Sequence, residues 1–247
     1  MNEFLILGCG HSESLEHYNN NAAVINDQGV LLIDCGHTIK HALRAQDMSI
    51  ESVDAIFITH VHGDHVFGLE RVAFEARYKY QKRISLYFHE SIYQELWDQT
   101  LKGSLGYSSD HDGTPQENTL EDWFDVNVIT GNKFSVFGNN YKIFEVKHSP
   151  GKPTFGLTIN DTVFFSSDTT QIKEIIENTE FEIGFHDVTL TKFNPVHASL
   201  SSLVESYSKE VRDKLYLMSY QDDWAEYKDM VEDNFKGFAK QGMKVDL

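Results

Sequence analysis

The chain has 247 residues, of which 40% are hydrophobic and 13% aromatic, and its formal net charge is -17. This length and apolar content are enough for one domain with a sizeable core, which excludes a wholly disordered chain. No apolar run approaches 18 residues and no signal-peptide pattern opens the sequence, so we expect no membrane partner. Two cysteines, Cys9 and Cys35, imply no disulfide framework and fit a reducing cytoplasm. The acidic surface opposes a broad face for a long polyanion such as tRNA.

No linker or repeat divides the chain, which we therefore interpret as a single domain, 1–247. Hydrophobic periodicity in its first half predicts short strands followed by helices. The Asp27-Gln28-Gly29 segment is typical of a hairpin turn. The predicted strands cover 4–7, 22–26, 30–34, 55–59 and 84–88, the helices cover 64–80 and 92–101, and a long loop covers 102–118.

The second half repeats this order. Strands are predicted at 126–129, 134–136, 142–146, 154–159, 162–166 and 214–218, with helices at 172–178, 200–211 and 224–241. Strands followed by helices, twice over, predict an α/β (α+β) fold in which two mixed sheets pack face to face between helices, an αββα sandwich.

The segment Thr59-His60-Val61-His62-Gly63-Asp64-His65 directly follows the buried strand at 55–59. It holds four potential metal ligands within six residues. A loop leaving a strand can aim His60 and His62 to one side and Asp64 and His65 towards a second point. Imidazole and carboxylate suit zinc or another first-row divalent ion. The alternative is a polar loop without a metal.

This pattern, followed by Gly68-Leu69 at the start of a helix, resembles the metallo-β-lactamase superfamily over essentially the whole chain. The resemblance implies a metallo-β-lactamase fold and three further site residues. Asp34 would be the acidic residue behind the metal loop, His148 the next histidine ligand and Asp168 the aspartate between two metals. Taken alone, His148 could be a surface histidine and Asp168 a helix N-cap.

The segment Pro195-Val196-His197-Ala198-Ser199-Leu200 resembles the phosphodiesterase branch of this superfamily, which includes the tRNA 3′-end nucleases. The resemblance implies two divalent ions per chain, Zn²⁺ or else Mn²⁺, and attack of a metal-bound hydroxide on phosphorus. Asp64 would also orient that hydroxide, and His197 would protonate the leaving alkoxide. Packing against the following helix is the alternative explanation for His197.

One position departs from the pattern of this phosphodiesterase branch. Ser219 stands where other members have the last of their histidine ligands. The second metal should therefore be held more weakly, by Asp64, His65 and Asp168. His186 could substitute for the missing ligand, and Asp187 could order a neighbouring histidine. The other histidines, at positions 11, 17, 37, 41, 89 and 111, show no ligand pattern.

Only nineteen residues separate His148 from Asp168, too few for the tRNA-gripping arm of the tRNA nucleases. The chain resembles instead the small cyclic-nucleotide phosphodiesterases of phages and bacteria, the anti-Pycsar proteins, which counter cyclic-nucleotide anti-phage signalling. That resemblance implies a cyclic mononucleotide substrate, no stable nucleic-acid partner, and a homodimer in which the partner chain helps to close the site. Loop 102–118 would be a lid whose Tyr107 stacks on a base. The alternatives are a tRNA endonuclease, a lactone or thioester hydrolase, and a nucleotide-binding relative with impaired turnover.

Overall fold

The computed structural model describes residues 1–110 and 112–247. Within this part of the chain the strands form two seven-stranded sheets and one small hairpin. In chain order the strands are β1 (Asn2–Gly8), β2 (Asn21–Asn26), β3 (Gly29–Ile33), β4 (Ala55–Ile58), β5 (Ile84–His89), β6 (Tyr107–Ser109), β7 (Pro115–Glu117), β8 (Phe124–Ile129), β9 (Lys133–Val136), β10 (Asn139–Glu145), β11 (Phe155–Ile159), β12 (Val163–Phe165), β13 (Ile183–Asp187), β14 (Leu215–Met218), β15 (Gly237–Phe238) and β16 (Lys244–Asp246).

The helices are short. Two π-helical segments lengthen some of them. Glu75–Lys79 continues the helix Leu69–Phe74, and Trp97–Leu101 joins the helices Tyr93–Leu96 and Lys102–Leu105. No helix of the described residues is long and apolar enough to cross a membrane. The α-helices are α1 (Ile39–Ala45), α2 (Gly63–Val66), α3 (Leu69–Phe74), α4 (Tyr93–Leu96), α5 (Lys102–Leu105), α6 (Lys173–Ile176), α7 (Leu200–Ser206), α8 (Lys209–Arg212) and α9 (Lys228–Asn234).

Both large sheets are mixed. The first has the order β16-β1-β2-β3-β4-β5-β8, and its strands from β3 onwards are parallel. The second has the order β15-β14-β13-β12-β11-β10-β9, and β12 to β15 are parallel. The parallel half of each sheet therefore presents several carboxyl-terminal strand ends along one edge, where ligands commonly bind.

Aromatic side chains join the two sheets face to face. The Phe4 ring on β1 lies 5.1 Å from the Phe185 ring on β13, measured between centroids. The Phe57 ring on β4 stacks on Phe134 of β9 at 5.2 Å. These rings belong to a core formed by the inner faces of both sheets. The prediction of two mixed sheets flanked by helices is confirmed.

Two predicted helices are interrupted. The helix predicted over 64–80 breaks between α2 and α3, and the one predicted over 200–211 breaks between α7 and α8. At the first break Gly68 packs so closely that a Cβ would lie 2.4 Å from the carbonyl oxygen of Gly36. At the second, the Ser208 side chain accepts from the backbone of Val211 and starts a new helix.

The prediction of a long loop over 102–118 was wrong. Helix α5 continues to Leu105, and β6 and β7 pair as a hairpin. Leu105 is fully buried, and its carbonyl oxygen accepts from the Trp123 indole nitrogen at 2.9 Å. This burial favours helix in a segment whose glycine and serine content indicates a loop.

The closing helix predicted over 224–241 ends at Asn234, and two strands follow it. The backbone at Gly237 has φ of +134°, and Phe238 pairs with Leu217 of β14. Strand β16 then pairs with β1 at the edge of the first sheet. Strand β13 was also missed, because Gly184, His186 and Asp187 interrupt its apolar pattern.

Candidate metal centre

The predicted site residues meet at the edge where the parallel strands end. Asp34 follows β3 and the His60–His65 segment follows β4, whereas Asp168 follows β12 and Ser219 follows β14. His148 lies in the turn between β10 and β11, and its ring lies close to those of His60 and His62. The fold therefore brings together residues from both halves of the chain.

Three imidazoles form the first cluster. The Nδ1 atom of His62 lies 3.0 Å from Nε2 of His60 and 3.1 Å from Nε2 of His148. His148 uses its Nδ1–H to donate to the carbonyl oxygen of Val196 at 2.9 Å, which leaves its Nε2 lone pair directed at the cluster. Three ring nitrogens converging at these distances fit the ligand set of a zinc-type ion.

Burial lowers the pKa values of two of these histidines, and the neighbouring imidazoles lower them further. The pKa of His60 lies well below its ordinary value, and that of His62 falls to about 4, with the charge of Lys152 contributing. Both rings are therefore neutral at physiological pH. Neutral imidazole is the form that binds a metal.

Asp64, His65 and Asp168 form the second cluster. The Nε2 atom of the buried His65 lies 3.4 Å from a carboxylate oxygen of Asp64 and 3.4 Å from one of Asp168. It has no hydrogen-bond partner among the described residues. Burial lowers the pKa of His65, but Asp64, Asp168 and Asp34 outweigh burial and raise it well above its ordinary value. This concentration of negative charge around an unpartnered nitrogen fits a second divalent cation.

Asp34 supports both clusters from behind. Its fully buried carboxylate accepts from Nδ1 of His65 at 2.8 Å and from the Thr59 hydroxyl at 2.8 Å. Thr59 in turn lies 3.1 Å from Nδ1 of His60. These contacts fix the Nδ1 protons and direct the Nε2 atoms of His60 and His65 forwards. Sequence reasoning missed Thr59, although it directly precedes the motif.

Close backbone packing holds the metal loop against the Asp34 segment. A Cβ at Gly36 would lie 1.8 Å from the Asp64 carbonyl oxygen, so only glycine permits this approach. Asp34 and Ser219 both adopt the left-handed region, with φ of 66° and 61°. Strained backbone of this kind often occurs at functional sites.

His197 and Asp187 form a pair beside the clusters. Nδ1 of His197 donates to a carboxylate oxygen of the fully buried Asp187 at 2.8 Å, and the Thr169 backbone N–H donates to the same oxygen at 2.9 Å. A ligand atom of His197 lies within 4.8 Å of His148 and Asp168. Burial lowers the pKa of His197, but the charge and hydrogen bond of Asp187 outweigh it, and the pKa rises to about 9.

His186 is turned away from the metal ligands. Its Nδ1 donates to the Asp187 carbonyl oxygen at 2.7 Å, and its Nε2 accepts from the Tyr207 hydroxyl at 2.8 Å. Both ring nitrogens are occupied, so the structure does not support His186 as a replacement ligand. Ser219 faces Asp168 instead, with 3.4 Å between the hydroxyl and a carboxylate oxygen.

Two other expectations concern residues beyond the clusters. Tyr107, proposed to stack on a base, lies on β6 with 71% of its surface exposed. The histidine at position 111 lies outside the described residues. Sequence reasoning also gave no role to Lys152, whose ammonium donates to the Val61 carbonyl oxygen inside the metal loop at 2.7 Å.

Known proteins resemble this chain in sequence and in fold. A model of the family described as Anti-Pycsar protein Apyc1 matches residues 2–245. A protein of that description from Paenibacillus sp. (strain J14) is 36% identical over 229 residues, which cover 90% of this chain and 91% of the relative.

Two solved structures share the fold. A diphosphatase of the PhnP family matches with a TM-score of 0.79 and 18% identity, covering 100% of this chain and 98% of its own. The metallo-β-lactamase fold protein YhfI from Bacillus subtilis matches with a TM-score of 0.77 and 14% identity, covering 100% and 99%. The predicted metallo-β-lactamase fold is thereby confirmed.

Proposed function

The chain belongs to the Anti-Pycsar protein Apyc1 family, and we propose that it is a metal-dependent phosphodiesterase that hydrolyses cyclic mononucleotides such as cCMP, cUMP, cAMP and cGMP. The observation that carries the proposal is the meeting of two metal-ligand clusters with His197, an imidazole oriented by a buried carboxylate. Phosphodiester hydrolysis needs both a cationic centre for the phosphate and a proton for the leaving oxygen.

Two divalent ions, Zn²⁺ or else Mn²⁺, are the proposed cofactors. His60, His62 and His148 would hold the first, and Asp64, His65 and Asp168 the second. Asp168 would lie between them, since its carboxylate is grouped with ligand atoms of His60 and His148 as well as His65. Such ions would lower the pKa of a bound water and offset the charge of the phosphate. Ser219 offers a neutral hydroxyl in place of an imidazole, so the second ion would be the weaker one.

The protein's own contribution to bond cleavage is the proton on His197. Asp187 accepts from Nδ1, which leaves Nε2 as the atom that faces the clusters. Burial lowers the pKa of His197, but the charge and hydrogen bond of Asp187 raise it, and this favours the protonated ring. His197 therefore donates the proton that the departing ribose oxygen requires. A thioester hydrolase, which releases a thiolate, has less need of this donor, and a protein that merely binds nucleotides has none.

The connection from His148 to Asp168 favours a small substrate. It consists of a turn and the β11–β12 hairpin, and a tRNA-gripping arm is absent from this described segment. The charge of -17 adds repulsion against a long polyanion.

We further propose that the protein is a homodimer and that it acts in the cytoplasm of a bacterium or of an infected host cell. Large apolar side chains are exposed on three loops that also carry or adjoin site residues. They are Leu15 at 95%, Phe67 at 61% and Phe193 at 79% exposure. Single exposed apolar side chains are common on monomers, so the homodimer is proposed from the family resemblance and not from these residues. Light scattering of the purified protein tests this, and a monomer at micromolar concentration would contradict it.

A substrate panel tests the activity. We expect Zn²⁺- or Mn²⁺-dependent opening of cyclic mononucleotides and cleavage of bis-p-nitrophenyl phosphate, with no cleavage of precursor tRNA, a lactone or a thioester. His60→Ala is the inactive control. Faster cleavage of precursor tRNA than of any cyclic nucleotide, or preference for the lactone or thioester, would contradict the proposal. Tight nucleotide binding without turnover would identify an impaired relative.

A further inference from the structure

Lys152 connects the two loops that carry the first cluster. It lies four residues after His148, and its side chain is only 18% exposed. Its Nζ donates to the carbonyl oxygen of Val61, the residue between His60 and His62, at 2.7 Å. The same ammonium forms an ion pair with Glu95 of α4.

This pair differs from the ion pairs at the surface. The Lys142–Asp161 pair, for example, is 50% and 45% exposed, and exposed pairs of this kind contribute little. A largely covered ammonium loses hydration and needs polar partners to replace it. Lys152 finds one of these partners in the metal loop, the Val61 carbonyl oxygen, and the other on α4, the Glu95 carboxylate.

We propose that Lys152, held by Glu95, is a positioning residue for the first metal site, an inference that rests on the metal centre proposed above. The ammonium ties the His60–His62 loop to the turn that carries His148. This turn is compact, because the backbone N–H of Lys152 donates to the Ser149 carbonyl oxygen at 3.1 Å. The spacing of the three ligand nitrogens therefore depends in part on the Lys152 side chain.

Besides the contact between His62 and His148, hydrogen bonds hold the two loops towards their ends. The Phe155 backbone N–H donates to the Thr59 carbonyl oxygen at 3.1 Å, before the first ligand. His148 is held by Val196, from the opposite side. The Lys152–Val61 bond is the described contact that reaches the metal loop between two of its ligands.

Glu95 has a second effect, through charge. An ammonium beside a divalent ion is unfavourable unless a carboxylate offsets its charge. Glu95 supplies this carboxylate from α4, at 26% exposure. Loss of Glu95 should therefore weaken metal binding even though Lys152 remains.

Metal affinity of the stripped protein tests the proposal. Zn²⁺ dissociation constants would be measured by competition with a chromogenic chelator, with Co²⁺ absorption spectra as a report on ligand geometry. We expect Lys152→Met to weaken the tighter site by about 10–100-fold, the usual effect of removing a group that orients metal ligands. Lys152→Arg should recover most of the affinity, because it keeps a charged donor, and Glu95→Gln should also weaken the tighter site.

Lys142→Met is the matched control, since it removes a lysine from an exposed ion pair, and it should leave both constants unchanged. Equal affinity in Lys152→Met and the wild type, or the same loss at both metal sites, would overturn the inference. If Lys152→Met fails to fold, the Zn²⁺ affinity of the tighter site in Glu95→Gln is compared with that in Lys142→Met. Equal affinities in these two variants would then overturn the inference. A wild-type protein that binds no metal would instead overturn the proposed metal centre.

Discussion

The Asp187–His197 pair can be separated from the metal ligands by one substitution. Asp187→Asn keeps the size of the side chain and an oxygen that can accept from His197 and the Thr169 backbone. It removes the negative charge, which with its hydrogen bond opposes burial and raises the pKa of His197 to about 9. Without that charge, the pKa should fall towards the ordinary histidine value of about 6.5, because burial still lowers it while Asp168 and Asp64 still raise it.

The size of the effect follows from the fraction of His197 that carries its proton. At pH 8 this fraction is about 0.9 for a pKa of 9 and about 0.03 for a pKa of 6.5. The acid form is the active one, so activity persists below the pKa and is lost above it. We therefore expect kcat for a cyclic nucleotide at pH 8 to fall about 30-fold, with much of the loss recovered near pH 6.

The assay is a kcat profile from pH 5.5 to 9.5 for wild type and Asp187→Asn, with metal content and melting temperature as controls. The descending limb should move to lower pH in the variant. On p-nitrophenyl esters, whose leaving group needs no proton, the two proteins should differ little. An unmoved limb, or equal losses on both substrates, would refute a proton-donating His197.

Three further perturbations test the site. His60→Ala or His148→Ala should empty the first site and abolish activity, and unchanged metal content by mass spectrometry would contradict the ligand assignment. His197→Ala should retain both metals but lose about 10²–10⁴-fold in kcat on cyclic nucleotides, and a loss of metal would make it a ligand instead. Ser219→His should tighten the second metal against mild chelation, because imidazole replaces a hydroxyl or water. Full activity of the wild type with one tightly bound metal per chain would make position 219 irrelevant.

The clustering of candidate metal ligands could be predicted because four of them are concentrated in one segment. The His60–His65 segment places four ligands on a loop after a continuous apolar strand, and both features are local. Asp168 follows a strand in the same way, although its partners lie about a hundred residues earlier. The two-sheet architecture also followed from local alternation, since most strands are bounded by turn residues.

What could not be predicted depends on contacts between distant residues. Nothing in the sequence near Glu95 or Lys152 indicates that a helix and a turn meet at the metal loop. The short strands β15 and β16 are stabilised by pairing with β14 and β1, and local periodicity at β15 favours helix. Leu105 extends its helix through burial against Trp123, which also lies outside the local pattern.

The buried carboxylate of Asp187 also bears on the choice between an enzyme and a binding protein. Its second oxygen has no hydrogen-bond partner among the described residues, and burial raises its pKa against the opposing charge of His197. Burying a charge with incomplete partners costs free energy, which a protein selected only for folding or nucleotide binding could avoid with a neutral side chain. Here the charge orients His197 and favours its protonated form beside the candidate metal ligands. Since a protonated donor at that point is useful only when a leaving group departs, the pair favours turnover even though Ser219 stands in place of a histidine.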